Sequence, residues 1–459
     1  MKVVKLIIIV VLCVLFQGYN VYAKDTIYSI NKYSEENLNF IKRGYNKKGK
    51  KDGLIVGGNY LEETIENDNG TYQNYQIILA KYNKNGTIAW NYTYGNTKED
   101  NIDCLEYTYN ENSEIDGYLI CLEKTYDIVN KQIPEGEDIS ATLLKIDLDG
   151  NLLWEKSAGL NEITKIVKIT PTWSDDKKID GYIAIGYKEE NNKKKSIIVK
   201  YDRDLNIIWN KPCEQQENED VLYQDIIPIQ EENRIIGYSL IKSIKQENVK
   251  EKKELLWLNQ EGNNETILDD SLEKYQSSYL EKANNGFILY GITSDVKLKK
   301  GKKSYYLINY NNQKQINWET VGEDPVNQDK RVVLLPSEKE IINDYTLLYE
   351  NSVDSSKEVI KLDADGTIQK KIKKISNDYY SFENFYIEND TLYFVGQINC
   401  PEDDNCEYDK NSLFLVSDED TVIEVKDDDS KNIIIGIGVI IIIIGIIIYK
   451  KGKKKEQAS

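Results

Sequence analysis

Five hard oxygen donors crowd one short stretch of the chain: Glu402, Asp403, Asp404, Glu407 and Asp409. Ca2+ takes about six to eight oxygens, so this loop fits a structural calcium, and a merely solvated acidic loop would read the same. Cys400 and Cys406 bracket it and could staple it. Cys104 and Cys121 flank a loop centred near residues 112–113. In a symmetric hairpin they lie opposite each other, as a cross-strand disulfide or as two buried thiols. Cys213 is left over. Basic residues gather elsewhere, in Lys193, Lys194 and Lys195, then Lys245, Lys250, Lys252 and Lys253, then Lys297, Lys299, Lys300, Lys302 and Lys303.

Several reactions lack their residues. The 459-residue sequence contains no histidine, which removes Ser-His-Asp and Cys-His nucleophiles, imidazole zinc sites and histidine bases. Its four arginines, Arg43, Arg203, Arg234 and Arg331, form no sequence cluster suited to a substrate carboxylate. A carboxylate pair of the glycosidase kind leaves no trace in sequence and stays open. Asp147-Leu148-Asp149-Gly150, Asp202-Arg203-Asp204 and Asp363-Ala364-Asp365-Gly366 resemble half a calcium loop without its distal carboxylate. Turn chemistry explains them sufficiently.

Four tryptophans show what positions these groups. Trp90, Trp154, Trp209 and Trp318 follow one another at 64, 55 and 109 residues, the last about two periods, and each closes the same phrase. A period of this length marks one supersecondary unit repeated around a ring or along a stack. Each unit holds four strand-length apolar runs. The second is expected to open after an Asx-Gly or similar turn: Asp52-Gly53, Asp116-Gly117, Asp180-Gly181, Asn285-Gly286. The third and fourth are joined by Asn85-Gly86, Asp149-Gly150 or Asp365-Gly366, read as two-residue hairpin turns with both central residues at φ > 0. Third-strand phrases recur near residues 77, 143, 197, 255, 306, 359 and 413. Seven four-stranded units predict an all-β fold, a seven-bladed β-propeller, with an open β-solenoid as the alternative. Thr26–Ile30 could add a closing strand to the last blade. The regular tryptophans fit packing between blades, whereas Trp173 lies outside that register and is the candidate exposed aromatic.

The pattern Lys145-x-Asp147-x-x-Gly150-x-x-x-Trp154 followed by Gly159 resembles the repeat of secreted bacterial propellers. It is also similar to the pyrroloquinoline-quinone-like and WD40-like propeller repeats. The likeness spans about residues 37–425 and implies a fold, not a function, since such repeats serve adhesins, scaffolds and dehydrogenases alike. No cofactor-site residue of the quinoprotein enzymes can be matched, so no cofactor is expected beyond that calcium.

Both ends carry an address. Met1–Ala23 reads as a signal peptide: Lys2 and Lys5, a short apolar core, then Val21-Tyr22-Ala23. Residues 24–425 form the expected ectodomain and 426–432 an acidic linker. Ile433–Tyr449, followed by a lysine-rich tail at 450–459, reads as a single transmembrane helix with the tail in the cytoplasm. The formal net charge of −18, more negative still for the ectodomain alone, disfavours nucleic acid as a partner.

The expectation is therefore a plasma-membrane-anchored extracellular propeller acting as a binding or adhesion module, not an enzyme, with a protein or glycan ligand. Lys193, Lys194, Lys195, Lys250, Lys252, Lys253, Lys299, Lys300, Lys302, Lys303 and Trp173 are the candidate ligand-binding residues. The lysines are expected in long loops between second and third strands, opposite acidic loops elsewhere on the ring. An envelope scaffold and a carboxylate-dependent glycan-active enzyme are the alternatives.

Overall fold

The computed structural model describes Ile27–Tyr28, most of residues 34–398, and Asn411–Val416, with the longest internal gaps at 125–140 and 294–302. One compact unit spans Met1–Thr421 and a second spans Val422–Ser459. The signal peptide, the 433–449 segment, Cys400, Cys406 and the acidic loop at 402–409 lie outside the described residues. Among the described residues no helix is long and apolar enough to cross a membrane.

The described chain is an all-β propeller. After β1 (Ile27–Tyr28), the first sheet holds β2 (Ser34–Tyr45), β3 (Lys51–Asn67), β4 (Gly70–Tyr82) and β5 (Ile88–Tyr94). The second holds β6 (Asp100–Tyr109), β7 (Ile115–Lys124), β8 (Thr142–Asp147) and β9 (Leu152–Ser157). Next come β10 (Lys165–Trp173), β11 (Ile179–Glu190), β12 (Lys193–Asp202) and β13 (Ile207–Pro212), then β14 (Glu219–Glu231), β15 (Arg234–Gln246), β16 (Lys252–Leu258) and β17 (Asn264–Asp269). A further sheet holds β18 (Tyr275–Ala283), β19 (Gly286–Thr293), β20 (Ser304–Asn311) and β21 (Ile316–Val321). Another holds β22 (Val333–Pro336), β23 (Asp344–Glu350), β24 (Lys357–Asp363) and β25 (Ile368–Ile375). The last combines β26 (Tyr380–Glu388), β27 (Thr391–Ile398) and β28 (Asn411–Val416) with β1.

Four blades thus stand as separate sheets of four consecutive strands, rather than the seven expected. A fifth sheet is completed from the N-terminal side, where Ile27 pairs with Phe414 and Tyr28 with Leu413. The remaining eight strands form one sheet, because β12 and β14 meet in parallel at a single position, Lys195 opposite Val221.

Middle strands are buried on both faces and outer strands on one. Every residue of β19 is buried, whereas β9 and β21 alternate between exposed and half-buried positions. Apolar clusters fill the space between neighbouring sheets. One joins Leu119, Cys121 and Leu143 to Tyr182, Val199 and Tyr201; another joins Leu38, Val56 and Tyr82 to Val395 of the last sheet. The 34 tyrosines suit this work, since the ring is apolar and the hydroxyl can satisfy a backbone group of the next sheet. Tyr182 Oη donates to Tyr107 O at 3.2 Å, Tyr201 Oη to Ala158 O at 2.9 Å, and Tyr107 Oη to Arg43 O at 3.1 Å.

The tryptophans pack between blades as their period implies. Trp90 Nε1 donates to Leu148 O in the next blade at 2.9 Å, and Trp318 Nε1 to Ala364 O at 3.1 Å. Each indole lies on the turn glycine of that blade; a Cβ on Gly150 would come within 2.7 Å of Trp90.

Two turn assignments need correction. The hairpin after Asp147 is not the two-residue type with both central residues at positive φ. Gly150 N donates to Asp147 O and Asp147 N to Asn151 O, only Gly150 is left-handed (φ 89°), and the register slips between Lys145 and Ile146. This is a type I turn closed by a bulge. Asp147 Oδ1 takes the amides of Asp149 (2.9 Å) and Asn151 (2.8 Å), which is the turn role expected of it.

Asp52-Gly53, Asp116-Gly117 and Asp180-Gly181 do not form turns but lie inside β3, β7 and β11. Their carboxylates meet the third-strand lysine of the same blade: Lys81–Asp52 at 3.3 Å, Lys145–Asp116 at 2.8 Å, Lys200–Asp180 at 3.1 Å. The glycine lets the third strand come close, since a Cβ on Gly181 would sit 1.9 Å from Tyr201 O.

Candidate functional site

Six inner strands run beside a central cavity of about 650 Å³. Its wall comes from β2, β6, β10, β14, β18 and β26, with Tyr290 of β19. These inner strands share a device that sequence reading missed. The ladder slips between Leu38 and Phe40, Ile102 and Cys104, Ile166 and Lys168, Tyr223 and Asp225, Tyr275 and Ser277, and Phe382 and Asn384. One bulge on each of these six inner strands, at the same register in five and two residues further along the ladder in β18, re-aims side chains locally. The inserted residues include Asn39, Asp103, Val167, Gln224 and Gln276, so no residue type announces the position.

Ion pairs bridge adjacent blades around the cavity. Lys42 Nζ meets Glu106 at 2.8 Å, Lys168 Nζ meets Asp225 Oδ1 at 2.5 Å, and Asp225 Oδ2 accepts the Leu280 amide at 2.8 Å. Asn384 Nδ2 donates to Asn39 O at 3.3 Å, linking the last blade to the first, where Arg43 also lies 5.0 Å over the Tyr386 ring. Lys165 Nζ lies 2.8 Å from Asp103 Oδ1 and 2.6 Å from Glu123.

Burial pushes the Asp103 carboxyl up to about 7, with Lys165 opposing and Glu123 adding to the rise. Burial works against the Lys165 ammonium too, but two carboxylates outweigh it and hold that lysine above its usual range. The two shifts pull differently on one pair. The rise at Asp103 prevails, because its side chain is only 6% exposed and Lys165 divides its charge with Glu123. Glu281, on the same wall, is likewise raised by burial, with Lys168 opposing.

Among the described residues, most of the lysines singled out in the sequence lie on strands. Lys193, Lys194 and Lys195 belong to β12 and Lys252 and Lys253 to β16, not to loops between strands. The β11–β12 hairpin runs on far enough to set Glu189 opposite Lys194 and Glu190 opposite Lys193 in the ladder. Lys194 Nζ lies 4.6 Å over the Tyr187 ring. Lys252 pairs with Glu254 at 2.7 Å. Lys253 is 9% exposed and donates to Gln276 O at 3.1 Å, so it faces inward. Lys193, Lys195, Lys245 and Lys250 are exposed and Lys303 is half-buried. Lys297, Lys299, Lys300 and Lys302 lie outside the described residues.

Trp173 is half-buried on the cavity wall, edge-on to Tyr109 with centroids 5.1 Å apart. Cys104 and Cys121 face each other across β6 and β7, as their spacing implies, but stand as buried thiols, and Cys213 is a third. Burial drives the Cys121 thiol well above its ordinary range. The calcium candidates Glu402, Asp403, Asp404, Glu407 and Asp409 fall outside the described residues; among those described, no group of three or more acidic or cysteine side chains could hold a metal.

No family model and no curated protein matches the chain. Solved structures similar to it include propellers. The Dos1 propeller is 8% identical with a TM-score of 0.47, covering 88% of this chain and 98% of its own. Sqt1 from Chaetomium thermophilum is 10% identical with a TM-score of 0.45, covering 86% and 99%. The β-propeller domain of the Trilobed protease from Pyrococcus furiosus is 11% identical with a TM-score of 0.43, covering 87% and 100%.

Proposed function

We propose that this protein is a binding module, a propeller of seven blades that acts by presenting a preformed cavity and its surrounding loops to a partner rather than by turnover. The seven-blade count follows from treating the eight-stranded sheet as two blades. Each half has four strands in the same order, and only the Lys195–Val221 bridge joins them. The leader at 1–23, the segment at 433–449 and the basic tail at 450–459 support display outside the plasma membrane on a single anchor, with the acidic linker at 426–432 between.

The observation that carries this reading is the state of the cavity's charges. Lys42–Glu106 and Lys168–Asp225 are committed to each other across blade boundaries. Paired groups of this kind fix the shape of a cleft and are poorly placed to shuttle protons. The absence of histidine from the sequence agrees with that role. An extracellular protein or glycan is the partner class the acidic surface suits, and exposed Lys193, Lys195 and Lys250 are its basic contacts.

The test is retention of the full chain, in detergent, on a panel of glycans and cell-surface extracts at low and physiological salt. Saturable retention is expected, weakened by salt and by replacing Lys193, Lys195 and Lys250 with glutamine. Silence across the panel, or turnover of a panel glycan that is lost on changing one cavity carboxylate, would overturn the reading.

A further inference from the structure

Asp103 carries one feature that the blade-bridging pairs do not use. Its Oδ1 meets Lys165, but Oδ2 is buried and has no hydrogen-bond partner. Its side chain is more than nine-tenths buried, and the residue lines the cavity from the bulge of β6. Leaving a carboxylate oxygen unsatisfied away from water is costly, so such an atom on a cavity wall marks a place for a donor.

The neighbouring groups say what kind of donor. Lys42 and Lys168 are spoken for by Glu106 and Asp225, whereas Glu281 accepts the amide of Lys282 at 2.8 Å. The Lys282 ammonium on the same wall is disfavoured by burial, with Glu281 opposing, so the spare capacity of the wall is acidic. No described cluster offers the three oxygens that a metal ion would need. The same wall carries Phe40, Trp173, Tyr279 and Tyr290, which can cover an alkyl chain and face a cation. A cavity of about 650 Å³ is of the size that takes small molecules.

We propose that the cavity binds a small organic cation, an alkylammonium or guanidinium group, whose N–H donates to Asp103 Oδ2 while the aromatic wall covers its chain. The inference rests on the binding reading above and adds a ligand class to it.

Calorimetric titration of the full chain in detergent tests it, with n-butylammonium and n-butylguanidinium as probes and butyrate and Ca2+ as controls. Saturable binding of at least one cation is expected, and none of butyrate. Asp103→Asn should weaken that binding at least ten-fold, with a melting curve confirming the fold. Thr170→Lys, which adds a tethered ammonium to the same wall and leaves the Asp103–Lys165 pair in place, should weaken it comparably. A folded wild-type chain that binds neither cation, or binds butyrate equally, overturns the inference. So does cation binding that survives both substitutions. If the chain is still retained on the surface panel, the binding-module reading stands and only the ligand class falls.

Discussion

At the scale of single residues, charge in this protein is structural before it is anything else. In three blades an Asp–Lys pair ties the second strand to the third, and Thr108 and Thr172 join it through Asp116 and Asp180. Asp103 differs, because burial leaves its carboxyl near 7 instead of the ordinary value of about 3.9. A raised carboxyl pKa favours the protonated folded state. Its stabilising share is complete below about pH 4 and is lost as pH rises through about 7. The expected swing is at most about 4 kcal/mol. Urea denaturation of wild type and Asp103→Asn at pH 4.5 and 7.5 should therefore show the wild type losing more stability than the variant as pH rises. Parallel pH profiles would mean that Asp103 is ionised throughout. The aspartates of the Asp-Gly pairs were visible in sequence, but their lysine partners were not, because 29 residues separate Asp52 from Lys81. Asp103 was invisible as well. Nothing in Asp-Cys-Leu-Glu shows that a bulge will leave one oxygen buried and unpartnered.

Strands and turns were more legible, since hydrophobic patterning and strand length are local properties. All seven third-strand phrases fall on strands: β4, β8, β12, β16, β20, β24 and β28. The turn type was misread because Asp-Gly suits both the two-residue hairpin and a type I turn closed by a left-handed glycine. The tryptophan of the preceding blade decides between them, as it needs a flat, side-chain-free seat. Gly150→Ala should accordingly cost twice, through its φ of 89° and through a Cβ 2.7 Å from Trp90. We expect a loss of about 2–4 kcal/mol in urea denaturation. In a Trp90→Ala background only the backbone share, about 1 kcal/mol, should remain. Equal losses in both backgrounds would show that the indole does not bear on that glycine. Lysines in β12 and β16 mark the limit of pattern reading. A run such as Lys193-Lys194-Lys195 looks like a loop, yet opposite Glu189 and Glu190 it extends a hairpin.

Over the whole molecule, stability depends on whether the first and last sheets hold together, because the other blades follow one another along the chain. Three of the contacts across that junction are the β1–β28 ladder, the Asn384–Asn39 hydrogen bond, and an apolar cluster joining Leu38, Val56 and Tyr82 to Val395. The closing strand at 26–30 could be anticipated from sequence, since a short apolar run ahead of the first full repeat has no other partner. The cavity could not, because its wall draws single residues from strands up to several hundred positions apart. β1 is only two residues long, so its ladder is the weakest of the three contacts and the most easily tested. Ile27→Pro removes an amide from that ladder and resists the extended pairing with Phe414. Opening should then begin at the last sheet, with amide exchange in β26, β27 and β28 accelerating at least ten-fold. The interior of β19, buried at every position and far from the junction, should keep its protection. Exchange that accelerates evenly through all sheets would mean the ring unfolds as one unit. Unchanged exchange in β26–β28 would mean the apolar cluster closes the ring without β1.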